Sequence, residues 1–237
     1  MEIIRKNIEI IKNNIINFAN NDEIEFVAVT KTFNKEIVLE VLKCGIKHIG
    51  ENRIQEALPK FEQLGSDLNG IKKHFIGHLQ SNKVKKVVKN FDLIQSLDTI
   101  KLANTINNYA KKINKLQDCL IEIKVSPKIL RTGVELYEIN DFYEKCLSIS
   151  NIVIRGLMVI APYSNDFKDS RYYFRLVYKL FKNIKKIYNN SKFSILSMGM
   201  SNDYMIAIEE GANMIRIGSA IYSTQGKRFD VINKNAY

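Results

Sequence analysis

Tryptophan is absent, and the 237 residues hold only three prolines, three cysteines and eleven glycines. So little proline and glycine excludes collagen-like, mucin-like and disordered-linker chemistry. Without tryptophan the usual membrane-interface anchor is missing, and no apolar run approaches the roughly 20 residues that a spanning helix needs. Cys44, Cys119 and Cys146 are odd in number, widely spaced and without a CxxC pair. That argues against a disulfide framework or a cysteine-based zinc site, and for a reducing, cytoplasmic compartment. Histidine is scarce too. His74 and His78 are four apart, but they straddle a strand end and a loop with no glutamate between them, so with His48 they make no metal site. Arginine numbers eight against 28 lysines, although the net charge is +11. Together with 35 isoleucines and 25 asparagines, the lysines read as a composition drift that fills solvated faces, and no nucleic-acid-reading motif accompanies them.

What remains is an ordinary soluble balance of 46% hydrophobic and 26% charged residues, arranged in a regular alternation. Ile4, Ile8, Ile11 and Ile15 recur at helical spacing, which predicts an amphipathic packing helix at the N-terminus and no signal peptide. Eight short apolar runs of buried-strand type follow: 26–30, 47–50, 74–77, 92–97, 119–125, 153–160, 193–198 and 214–218. Between them lie stretches of helical period, among them Ile54-Ala57-Leu58-Phe61 and the long segment from Tyr173 to Tyr188. Eight such units predict an α/β fold, a (β/α)8 TIM barrel with an extra N-terminal helix, in a single domain over residues 1–237.

In a closed α/β barrel, function sits at the C-terminal ends of the strands. The first strand ends at Lys31, after apolar residues, so its ammonium is expected at an otherwise uncharged barrel mouth. Partial desolvation there would favour the neutral amine that attacks carbonyls. A lysine snorkelling into solvent is the plain alternative. The seventh and eighth strands end in Gly199-Met200-Ser201 and Gly218-Ser219, small residues where helices begin. Glycine lets a ligand approach the backbone, and N–H groups at a helix start favour anions. Ser201 also suits a simple N-cap, with Asp203 in the first turn of a helix over 202–210. Arg216 is an inward candidate on the eighth strand, able to donate to a pyridine nitrogen but not to protonate it. A phosphate cup opposite an imine-forming lysine suggests pyridoxal 5′-phosphate, and a sugar-phosphate aldolase would satisfy the same two features.

The segments FVAVTKTF, IGENRIQEAL, HFIGHLQSNKVKKV, IQSLDTIKLA, IRGLMVIAP and LSMGMSNDYMIAIEEGANMIRIGSAIY resemble those of the YggS/PROSC family of pyridoxal phosphate homeostasis proteins. The resemblance runs from about residue 24 to residue 222. It implies a barrel similar to the N-terminal domain of alanine racemase, with the cofactor held as an imine on Lys31. It further implies that Arg216 faces the pyridine nitrogen, that Ser201, Gly218 and Ser219 hold the phosphate, and that Asn52 lines the cofactor. Three departures stand out. Arg53 occupies a usual aromatic position, making that side of the pocket more polar. Arg131 replaces a lysine of a KxG segment and cannot form an imine. Lys73 stands where tryptophan is common.

The resemblance implies a protein that holds pyridoxal phosphate without turnover and buffers or delivers it, with cofactor-dependent apo-enzymes as recipients. A monomer or weak dimer that binds neither membrane nor nucleic acid is expected. A racemase-like enzyme is the alternative. Racemisation needs a second base on the opposite cofactor face, in racemases a tyrosine from another domain, and only sixteen residues follow Ile221. Tyr163 and Tyr222 stand in no constellation that would orient either for the task. A basic nucleic-acid-binding protein is the remaining reading.

Overall fold

The computed structural model describes residues 1–19, 23–126, 132–162 and 167–223. Its sheet is wholly parallel. β1 (Glu25–Val29) pairs with β2 (His48–Glu51) on one side and with β9 (Met214–Ile217) on the other. From β2 the ladder continues through β3 (Lys72–Phe75), β4 (Leu93–Leu97) and β5 (Gln117–Lys124). It returns through β7 (Ile152–Val159) and β8 (Ile195–Ser197) to β9, closing an eight-stranded barrel. Each of the eight expected strands is present, with ends shifted by no more than two residues. A ninth, β6 (Val134–Glu135), went unread in the sequence. It is two residues long and pairs only with the end of β5, outside the closed ring.

Helices cover the barrel's outer face: α2 (Lys35–Lys43), α3 (Ile54–Leu64), α4 (Val84–Asn90), α5 (Ile100–Lys112), α6 (Ile139–Leu147), α7 (Phe167–Tyr188), α8 (Tyr204–Glu209) and α9 (Ser219–Tyr222). The expected extra helix, α1 (Glu2–Phe18), buries Ile4, Ile8 and Ile11 against the β1/β9 seam, packing on Phe26, Ala28, Ile215 and Ile217. Asn7 Nδ2 fastens it by donating to the carbonyls of Ile221 and Ser223, at 3.0 and 3.1 Å.

Strand alternation decides what enters the barrel. On β9, Ile215 and Ile217 face outward to α1, whereas Met214 and Arg216 face inward. Val27, Leu93, Leu120, Met158 and Met214, from five strands, form one apolar cluster inside. Polar side chains share that interior: His74, Gln95, Ser197 and Arg216 are all buried. Burying such groups costs little only when each finds a hydrogen-bond partner, and here each does.

Candidate cofactor site

A cavity of about 720 Å3 opens at the C-terminal ends of the strands, and Lys31, Asn52, Ser201, Arg216, Gly218 and Ser219 all line it. The structure thus brings together the six residues singled out in the sequence, from four strand ends.

Lys31 occupies the second position of a tight turn, closed where the Phe33 N–H donates to the Thr30 carbonyl at 3.2 Å. Thr32 completes the turn with φ 67°, uncommon for a β-branched residue. The Lys31 side chain is exposed at the cavity rim, not partly desolvated as expected. Nor is the mouth otherwise uncharged, since Glu122 and Arg216 also line it. Below Lys31 lies an arrangement the sequence did not disclose. Lys60, from α3, donates to the Thr30 carbonyl and to Glu51 Oε1, both at 2.7 Å. The Thr30 hydroxyl donates to the same Glu51 oxygen at 2.6 Å. Glu51 and Lys60 are both buried, so the pair ties the ends of β1 and β2 together under the turn that carries Lys31.

Ser201 does not cap the helix that follows it. The α8 helix starts at Tyr204, later than expected, and Asp203 Oδ1 instead accepts from the Met200 N–H at 2.6 Å. Burial raises the Asp203 carboxyl above its ordinary range. Ser201 Oγ accepts from the N–H groups of Gly218 and Ala220, each at 3.2 Å, joining the loops after β8 and β9. With both acceptor positions used, its own proton remains to be donated elsewhere. Ser219, the first residue of α9, has no acceptor for its N–H within that helix. The loop geometry depends on Gly199, at φ 92°, where a Cβ would press within 2.6 Å of Ala207 Cβ. Gly77 plays a similar part beyond β3, because a Cβ there would collide with the Asn52 carbonyl. Asn52 Oδ1 is buried and has no hydrogen-bond partner.

Arg216 donates from Nη1 to Ser197 Oγ at 2.6 Å and from Nη2 to the Val159 carbonyl at 2.8 Å. On the far wall, Thr132 Oγ1 and Asp98 Oδ2 lie 3.2 and 3.5 Å from His78 Nδ1. Arg53 does not line this cavity; its guanidinium donates to Glu56 at 3.0 Å in the first turn of α3. That side is therefore not made more polar by it. Lys73 is held by Asp92, which accepts from its N–H at 2.7 Å. Arg131 and Tyr163 lie outside the described residues. The Tyr222 hydroxyl is buried without a partner, and its ring lies against Phe33 with centroids 3.7 Å apart. Among the described residues no group of histidine, cysteine and acidic side chains is placed to hold a metal.

A closed parallel barrel with an amine at its rim and hydroxyl and amide donors across the cavity defines a (β/α)8 barrel with a polar cavity at the C-terminal ends of its strands. The model of the alanine racemase N-terminal domain matches residues 2–225. The pyridoxal phosphate homeostasis protein of Aquifex aeolicus is 41% identical over 198 residues, covering 84% of this chain and 86% of that one. The protein of the same name from Synechocystis is 38% identical over 202 residues, covering 84% and 90%. Among solved structures, PipY of Synechococcus elongatus with pyridoxal phosphate bound matches with a TM-score of 0.84. It is 28% identical, with 93% of this chain and 100% of that chain covered. An alanine racemase of Clostridium difficile shares the fold at a TM-score of 0.71 and 18% identity, over 96% of this chain and 58% of that one. The chain belongs to the alanine racemase N-terminal domain family, within its group of pyridoxal phosphate homeostasis proteins.

Proposed function

We propose that this protein binds pyridoxal phosphate in the cavity at the C-terminal mouth of the barrel and holds it for release to other proteins, without turnover. The observation that carries the reading is Ser201, buried, accepting two backbone N–H bonds and left with a hydroxyl proton to donate into a cavity that also holds an amine. The donor set fits the cofactor. A phosphate would accept from the Ser201 hydroxyl and from the N–H and hydroxyl of Ser219, with Gly218 leaving room for close approach. Arg216 would donate to the ring nitrogen, and Asn52 Oδ1 gives a buried acceptor on the opposite side. The cofactor supplies an aldehyde that condenses reversibly with primary amines, and Lys31 is the amine at the rim.

The homologues named for pyridoxal phosphate homeostasis support a carrier over an enzyme. Likeness to racemases at 18% identity is a likeness of fold. Cofactor-dependent apo-enzymes are the proposed recipients. Free thiols at Cys44, Cys119 and Cys146 suit a reducing cytoplasm, and no described helix is long and apolar enough to cross a membrane. Borohydride treatment of the loaded protein followed by peptide mass mapping is the test. A pyridoxyl group on Lys31 is expected, and a label chiefly on another lysine would overturn the assignment.

A further inference from the structure

A line of four buried side chains, ending on the half-buried His48, crosses the barrel interior beneath the cavity, each from a different strand. Arg216 Nη1 on β9 donates to Ser197 Oγ on β8 at 2.6 Å, and Ser197 donates to Gln95 Oε1 on β4 at 2.7 Å. Gln95 Nε2 lies 2.9 Å from His74 Nδ1 on β3, and His74 Nε2 lies 3.0 Å from His48 Nδ1 on β2.

The direction of every bond follows from its first member. A guanidinium can only donate, so Ser197 must accept from it and pass its own proton onward. Gln95 therefore presents its oxygen to Ser197 and its amide nitrogen to His74. The flipped amide would leave the Ser197 proton without an acceptor. It would also turn an oxygen, not an N–H, toward Met214 Sδ, which lies 3.2 Å from Gln95 Nε2. His74 then accepts at Nδ1 and carries its proton on Nε2, which it donates to His48. With that lone pair occupied, the 3.9 Å approach of Glu25 to His48 Nδ1 is no ion pair. Burial above all, reinforced by the positive charges of Lys72 and Arg216, favours the neutral His74 ring that this arrangement requires.

We propose that Gln95 and His74 are positioning residues for Arg216, forming a one-way chain of donors that fixes the guanidinium beneath the ring nitrogen of the cofactor. This rests on the reading of the cavity as a pyridoxal phosphate site, and its test separates the two. In the cofactor-free protein, 15N spectra of only three histidines should show His74 protonated at Nε2 alone. Gln95→Glu replaces a donor by an acceptor and should move that proton to Nδ1, while still accepting from Ser197. A wild-type His74 protonated at Nδ1, or no change in Gln95→Glu, overturns the chain.

The second measurement compares the affinities of pyridoxal phosphate and of its analogue with carbon in place of the ring nitrogen. Wild type should prefer the natural cofactor by about tenfold or more, as expected for a bond to a charged donor. Gln95→Leu should bring the ratio close to one, and Gln95→Glu should keep it. Equal weakening of both ligands in Gln95→Leu would make Gln95 a packing residue only and overturn the proposal. A ratio of one in wild type would instead remove Arg216 from the cofactor ring, and this proposal with it, whatever the histidine spectra show. Should Gln95→Leu fail to fold, the near-isosteric Gln95→Glu carries the test through its tautomer shift.

Discussion

Lys60 and Glu51 are a buried ion pair whose removal acts on the turn carrying Lys31, and single residues of this kind are where the site is most sensitive. Lys60→Met leaves the Glu51 carboxylate buried with only the Thr30 hydroxyl on it. Breaking a buried pair costs about 3–5 kcal/mol, so urea unfolding should show a loss of that order. Adding Glu51→Gln should recover most of it, because the stranded charge is gone. A loss near zero in the single variant would mean that water reaches the carboxylate. Ser201→Ala removes the proposed phosphate donor. Hydrogen bonds to charged groups contribute roughly 1.5–3 kcal/mol, so pyridoxal phosphate should bind about 10- to 150-fold more weakly. Pyridoxal, with the same ring and aldehyde, should bind as before, and equal weakening of both would reduce Ser201 to a loop clamp. Lys31, Ser201 and Arg216 were legible because strand ends, small residues and an inward charge have sequence signatures. Lys60 was not, since nothing in a lysine's neighbourhood along a helix reveals that its ammonium is buried on a carboxylate nine residues earlier.

Strands and helices were legible for a related reason: apolar runs bounded by helical spacing report burial, and burial is what a closed barrel imposes. Their ends were less so, because pairing partners and not local sequence decide where a ladder stops. The two-residue β6 has no periodicity to read at all. Polar residues inside the strands, Gln95 and Ser197 above all, gave no signal that they meet across the barrel. The β3 residue His74 makes that interior sensitive to acid. Burial pushes its ring down to about 3 from an ordinary 6.5. Above about pH 6.5 the ring is neutral in folded and unfolded chains alike. Below it the unfolded chain takes up a proton that the barrel refuses, and stability falls by about 1.4 kcal/mol per pH unit toward pH 3. His48, also lowered by burial, adds to the same trend. His74→Gln should therefore lose less stability than wild type between pH 7 and pH 4.5, measured by urea unfolding. Parallel losses would place the acid sensitivity elsewhere.

At the scale of the whole molecule, the barrel makes one prediction about chemistry and one about charge. Loaded protein incubated with L-alanine or L-serine in deuterated water should form no D-isomer faster than free pyridoxal phosphate does. Sustained turnover on either amino acid would make it a racemase. The +11 charge should give only weak binding to mixed DNA or RNA at physiological salt, collapsing as salt rises through counterion release. A tight, sequence-selective complex would contradict this. The seam between β1 and β9 carries a further consequence, for synthesis. Ala28 pairs with Ile217, so the first strand made waits for almost the last before its second edge is covered. Until then a growing chain exposes open edges at β1 and at whichever strand has just emerged, the condition in which strands find wrong partners. Because α1 packs across that same seam and grips the carbonyls of Ile221 and Ser223, its docking cannot be completed before those residues leave the ribosome. Closure of the ring and capture of the first helix should then be one late event, making this a slow, long-range step that ends folding and does not begin it.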